Sequence, residues 1–144
     1  MTDRIEPEKR SANMRAIRAK DTKPELTVRR LIHGLGYRYR LHRQNLPGRP
    51  DLIFPARRKV IFVHGCFWHQ HEDPACPIAH KPRSNLPYWE PKLQRTKNRD
   101  EANTRALKEM GWDVLTVWEC SLKPANKEGL KEAIVNFLGP RPSV

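Results

Sequence analysis

Acidic side chains are scarce in this 144-residue chain: 16 Asp and Glu stand against 28 Lys and Arg, leaving a net charge of +12 and a pI near 10.1. An imbalance of that size makes a polyanion the first expected partner. Long apolar runs are missing as well. None approaches the ~20 residues of a membrane span, and the N-terminus lacks the apolar core of a signal peptide. A basic amphipathic helix with an apolar anchor and a lipidation motif are both absent, which excludes the usual routes to an anionic membrane. Nucleic acid in a cytoplasmic, nucleoid-associated setting is the expectation that remains. Cysteine is limited to three residues. That odd count argues against a disulfide framework and for metal ligation or buried thiols. With no internal repeat and no low-complexity segment, the length suits one folded domain with a real core.

What is present is unevenly placed. Met1 to Pro50 holds 13 Lys/Arg against 5 Asp/Glu, so +8 of the +12 lies there. Residues 1–21 read as a basic N-terminal arm ahead of a domain over 22–144. Within the arm, Ser11 to Ile17 suits either a short helix or a solvated segment that orders against phosphates. Thr22-Lys23-Pro24-Glu25 is a capping box that starts a helix running to about Gly34, with Val28, Leu31, Ile32 and Leu35 as its apolar stripe. Glu25 is then either a plain capping residue or a carboxylate directed along a sheet rim toward Asp51. Tyr37 to His42 alternates with period two and predicts a strand with one basic face.

The densest stretch is Pro50 to His71. Two apolar runs, Leu52-Ile53-Phe54 and Val60-Ile61-Phe62-Val63, flank Ala56-Arg57-Arg58-Lys59, the pattern of a hairpin. A turn centred between Arg57 and Arg58 sets Asp51 opposite His64 with both side chains on one face. Glu72 to Pro87 is an irregular, proline-rich loop that needs an anchor. Tyr88 to Met110 reads as a long helix, Trp112 to Glu119 as a further strand, and Asn126 as the cap of a last helix through Leu138. This order predicts an α/β sandwich around a mixed sheet.

Structural zinc takes four Cys or His ligands. Cys66, His71, Cys76 and Cys120 supply such a set, with His69 a rival to His71 that spacing does not separate; the alternative is three buried thiols. Phe67 and Trp68 follow Cys66 directly. Beside a basic surface such rings can stack on bases or wedge between base steps, although core packing is their usual fate.

Three segments, Ser11-x-Asn13-Met14-Arg15-Ala16-Ile17, Leu46-Pro47-Gly48-Arg49-Pro50-Asp51 and Val63-His64-Gly65-Cys66-Phe67-Trp68-His69, resemble the very short patch repair endonucleases. These bacterial Vsr proteins nick DNA at T·G mismatches arising from deamination of 5-methylcytosine. The resemblance implies a restriction-endonuclease-like fold with a structural zinc site and a catalytic divalent ion, Mg²⁺, on Asp51 and the backbone carbonyl of Val63. It implies His69 as general base, His64 as the histidine at the scissile phosphate, and Glu25 as support for the metal waters and the base. Cys66, His71, Cys76 and Cys120 match the zinc ligands, and Phe67, Trp68 and Trp89 the aromatic wedge. Asn13, Met14 and Arg15 become candidate DNA contacts. Two departures stand out: Val63 replaces a hydroxyl residue found in some members, and the gap from His71 to Cys76 is long.

The implied reaction is hydrolysis of the phosphodiester 5′ to the mispaired T, nicking one strand of a T·G-mismatched duplex. A monomer is expected, with a functional link to a cytosine-5 methyltransferase and a repair polymerase. The chemistry agrees with the residues: an oxygen ligand suited to Mg²⁺, an imidazole base, and no Glu-x-Lys after the second strand, where His64 and His69 stand instead. Two other functions use the same features: a non-catalytic, zinc-stabilised DNA-binding protein, and a restriction-type nuclease acting on paired DNA.

Overall fold

A sheet of three short strands separates two helical layers in the computed structural model, which describes residues 22–41, 45–73, 76, 82 and 84–140. The expected arm over 1–21, with Asn13, Met14 and Arg15, lies outside the described residues. Helix α1 (Lys23–Gly34) begins as its capping box predicts: the Thr22 hydroxyl accepts from the Glu25 N–H at 3.4 Å. Strands β1 (Leu52–Phe54) and β2 (Lys59–His64) are antiparallel neighbours, and β3 (Asp113–Trp118) joins β2 in parallel after the long helix α2 (Leu86–Glu109). Helix α3 (Lys127–Leu138) closes the described chain.

Alternation along the strands assigns the two faces. Leu52, Phe54, Ile61 and Val117 pack with Val28 and Ile32 of α1 and with Leu130, Ile134 and Leu138 of α3. Ile53, Val60 and Phe62 turn the other way, onto Leu107 of α2 and Trp112. The result is the expected α/β sandwich around a mixed sheet, with strands apolar on both sides because helices cover both.

Three local expectations change. The strand expected over Tyr37–His42 is described only over residues 37–41, where the pairing is the single bridge of Arg40 with Ile53. Tyr37 is buried, and its hydroxyl donates to the Gly139 carbonyl, so the segment is held by a side-chain anchor rather than by strand pairing. The hairpin turn also comes earlier. Pro55–Arg57 form a 3₁₀ turn, Arg58 adopts left-handed φ of 53°, and Leu52 pairs with Ile61. Continuing that register, Asp51 faces Phe62 and not His64; the offset of two residues leaves Asp51 and His64 on one face. Asn126 precedes α3 but does not cap it with its side chain, which donates to the Cys120 carbonyl at 2.9 Å.

The basic hairpin turn has a structural task. Arg57 donates to the carbonyls of Leu138 (2.6 Å) and Pro140 (2.8 Å), Lys59 to Phe137, and Arg58 to Met110 at 2.8 Å. These are the carboxyl ends of α3 and α2, where unsatisfied carbonyls and the helix dipole favour cations by ~0.3–1 kcal/mol each. Three of the chain's positive charges are thereby committed to the fold.

Candidate active site and metal centre

At the open end of the hairpin the ladder gives way to side chains. The Val63 N–H donates to Asp51 Oδ2 at 2.6 Å. Extending the register of β1 and β2 sets Val63 opposite Pro50, which has no N–H to offer the Val63 carbonyl on that same edge. Asp51 and that carbonyl therefore share one rim of the sheet. Glu25 reaches the same place from α1. It is buried, paired with Arg29 at 3.3 Å, and close enough to raise the Asp51 carboxyl. Burial chiefly, then Glu25, pushes Asp51 up to about 7 against the opposing pull of the Val63 N–H and Arg29. Two carboxyl groups and a free-edge carbonyl make an all-oxygen donor set, the type that hard divalent cations select. The upward direction is the one expected of a buried carboxyl beside a second carboxyl.

His64 ends β2 on the same face as Asp51. Its ring stacks on His69 with centroids 3.8 Å apart and planes within 4°. Burial, with His69 adding and Asp100 opposing, lowers His64 to about 4, so it is neutral at pH 7. His69 is in turn held by Asp100 of α2, Nδ1 to Oδ2 at 2.5 Å. A carboxylate on Nδ1 fixes that nitrogen as the donor and leaves Nε2 with its lone pair. Asp51, Val63, His64, His69 and Asp100 line one cleft of about 580 Å³ together with Glu25.

The third grouping is built around His71. Cys66, His71, Cys76 and Cys120 bring one ligand atom each to within 4.8 Å of one another. Cys120 Sγ is 3.4 Å and Cys66 Sγ 3.8 Å from His71 Nδ1, and the His71 ring stacks on Trp118 at 4.2 Å. Burial pushes the Cys66 thiol up to about 12 and raises Cys120 as well. Four soft and borderline donors closing on one point suit a tetrahedral ion that would deprotonate those thiols. His71, not His69, enters this cluster, and Cys76 joins it there. Outside it, Phe67, Trp68 and Trp89 form a mutual aromatic group, with Phe67 edge-on to both indoles at 5.5 Å.

Every predicted site residue within the described part falls in one of these four adjoining groups. Asp100 was absent from the sequence reading. Its signal was available: Leu93, Asp100 and Leu107 recur at spacing seven, so a carboxylate occupies the middle of the stripe by which α2 meets the sheet. Tyr88 was missed too; half exposed, it sits edge-on to Trp89 at 5.1 Å and enlarges the aromatic group.

A basic α/β sandwich with carboxyls and imidazoles gathered in a cleft at its sheet rim is a layout shared by DNA endonucleases. Known proteins narrow that class. The sequence profile described as DNA mismatch endonuclease Vsr matches residues 2–74. The chain is 48% identical to the type II nicking enzyme V.XorIIP of Xanthomonas oryzae over 140 residues, covering 97% of this chain and 99% of that protein. It is 38% identical to the DNA mismatch endonuclease Vsr of Escherichia coli over 141 residues, 96% and 88% of the two chains. The type II nicking enzyme V.NmeAIP of Neisseria meningitidis is 40% identical over 85% of this chain and 86% of its own. The chain belongs to the Vsr family of DNA mismatch endonucleases and nicking enzymes. Its partner is therefore DNA, and no helix among the described residues is long and apolar enough to cross a membrane.

Proposed function

We propose that the protein nicks one strand of duplex DNA at T·G mispairs by Mg²⁺-dependent hydrolysis of the phosphodiester 5′ to the mispaired T. The observation that carries this reading is the junction of the carboxyl–imidazole cleft with the aromatic group through one short segment, Cys66 to His71. Asp51 and the Val63 carbonyl would hold the catalytic cation, with Glu25 orienting its waters. When bound, that ion supplies charge for the phosphate and favours hydroxide.

The chain's own groups then divide the work. His69 Nε2 takes a proton from the attacking water, and Asp100 keeps the tautomer and steadies the imidazolium that forms. His64, neutral beside it, donates a hydrogen bond to a non-bridging phosphate oxygen. As the water oxygen bonds to phosphorus, the bond to the leaving sugar oxygen breaks, and that oxygen takes a proton from solvent water, to which His69 later returns its own. Cys66, His71, Cys76 and Cys120 would hold structural zinc. Phe67, Trp68 and Trp89 would part the base stack, which costs a few kcal/mol, roughly, and less at a weakly stacked mispair. That difference supports selection of T·G sites.

The test uses purified protein and matched duplexes that differ at one base pair. Nicking of the T·G duplex on addition of Mg²⁺, and not before it, is expected. Equal nicking of the fully paired duplex would instead make this a restriction-type nuclease. Tight mismatch binding without turnover in any divalent ion would leave a DNA-binding protein only.

A further inference from the structure

Apart from the cation it would hold, the catalytic cleft has so far been given no permanent positive charge. Its carboxyls, Glu25, Asp51 and Asp100, face a substrate that is itself anionic and gains negative charge as water adds to phosphorus. Among the described residues lining the cleft, the permanent cations are Arg49 and Arg99.

Their placement is built into the fold. Residues Leu46 to Arg49 make a tight turn closed by the Arg49 N–H on the Leu46 carbonyl at 3.2 Å. Within it Gly48 has φ of 75° and Arg49 φ of 50°. The second value is unusual, because a non-glycine residue in the left-handed region is strained, and such residues gather at functional sites. Pro50 follows and fixes the exit, and Asp51 comes next. The turn is pressed onto α2: a Cβ added at Gly48 would lie 2.9 Å from Asn103 Nδ2. Arg99 is one helical turn before Asn103 on the same side of α2 and directly precedes Asp100. The loop and the helix thus deliver one guanidinium each to the mouth of the cleft. Both residues are exposed, and neither guanidinium takes a carboxylate among the described residues, whereas Arg29 is held by Glu25.

We propose that Arg49 and Arg99 are catalytic residues that clamp the scissile phosphate from two sides, each donating to a non-bridging oxygen and bearing the charge that develops there. The proposal rests on the nuclease reading above. A fork of fixed donors matches phosphate geometry in a way a lysine does not. The strained backbone at Arg49 is then a positioning device. It turns the side chain toward the phosphate that the neighbouring Asp51 addresses through its cation.

The test compares Arg49→Gln, Arg49→Gly, Arg49→Lys and Arg99→Gln with the wild type in single-turnover nicking of a T·G duplex with Mg²⁺. Duplex affinity is measured in Ca²⁺, on normal DNA and on DNA whose scissile phosphate is a neutral methylphosphonate. Loss of a donor to the developing charge is expected to slow nicking by about 10²–10³-fold. Affinity for the normal duplex is expected to fall less than about tenfold, and that penalty to vanish on the methylphosphonate duplex. Arg49→Lys should recover part of the rate. Arg49→Gly relaxes the left-handed backbone, so it should melt no lower than wild type and still lose the rate, which a purely structural arginine would not do. Nicking within about threefold of wild type in both glutamine variants would overturn the clamp, as would an affinity penalty equal on the two duplexes. A wild type that nicks no duplex would overturn the nuclease reading itself, and the clamp with it.

Discussion

Asp51 should make the protein less stable in its ion-free state, and Asp51→Asn is expected to stabilise the fold while abolishing nicking. The carboxyl titrates near 3.8 in the unfolded chain and is pushed up to about 7 in the folded one, chiefly by burial. Between those values the folded chain holds a proton that the unfolded chain has released, so stability falls as pH rises and levels off above about 7. Over the 1.5 units from about pH 5.5 to about pH 7, the loss amounts to about 2 kcal/mol at 1.36 kcal/mol per unit. Asn at this position keeps an oxygen for the Val63 N–H but carries no titration. Urea unfolding of both proteins at about pH 5.5 and about pH 8.5, without added Mg²⁺, should show the variant's advantage widening by about 2 kcal/mol, or about 4–8 °C in Tm. Added Mg²⁺ should raise the wild type toward the variant and leave the variant unmoved, because an ion that binds only the folded wild type stabilises that state alone. A stability gap that does not change with pH, or one in which the wild type gains on the variant as pH rises, would refute the argument.

His69→Ala and Asp100→Asn are both expected to slow single-turnover nicking by about 10²–10⁴-fold while changing duplex affinity only a few-fold, since both remove proton transfer and neither removes a phosphate contact. Fluorescence anisotropy beside a gel-based nicking assay separates the two quantities. Zinc analysis should find one tightly held ion per chain, and chelation should collapse the near-ultraviolet signal of the aromatic group. Even a fraction of the roughly 10–16 kcal/mol that zinc contributes to small finger domains rivals the whole stability of a domain, about 5–15 kcal/mol.

Where the sequence was read correctly, the reason is that local chemistry sufficed. The capping box at Thr22 set the start of α1, and two apolar runs of strand length gave β1 and β2. The hairpin register needed more. Pro55 pre-sets its backbone for a 3₁₀ turn and Arg58 goes left-handed, which pulls the turn one residue toward the N-terminus. Because the resulting offset is two residues, the face survived and the cleft was found with the wrong neighbours opposite one another. The choice between His69 and His71 was beyond spacing, because both lie within reach of Cys66 along the chain. It is made by the fold of Gly65 to His71, which stacks His69 on His64 and His71 on Trp118. Over residues 37–41 the expected strand failed for another reason: its alternation was real, but Tyr37 found a partner at the end of α3, and a buried hydrogen-bonded ring outweighed ladder pairing.

The segment from Cys66 to His71 joins the four-residue Cys/His cluster to the carboxyl–imidazole cleft. Ordering six residues costs about 6–12 kcal/mol of backbone entropy at 1–2 kcal/mol each. Three backbone bonds close the turn: His71 N–H to Cys66 at 3.0 Å, His69 to Gly65 at 3.1 Å and Gln70 to Phe67 at 3.2 Å. At a net ~1 kcal/mol apiece they do not offset that cost. Gln70 adds some strain, with φ of 47°. Further hold comes from Gln70 Nε2 on the Phe67 carbonyl at 2.6 Å, from Asp100 on His69, and from the turn's two ends, Cys66 and His71, both in the four-residue cluster. Between those anchors lie the two rings proposed to meet the mispair and the imidazole proposed to meet the water. Phe67 and Trp68 cannot shift far against the base stack without moving the backbone of His69, which is one residue away. A metal held there would fix the proposed wedge and the proposed base together, and the length of this turn would then set the distance between mispair and nick.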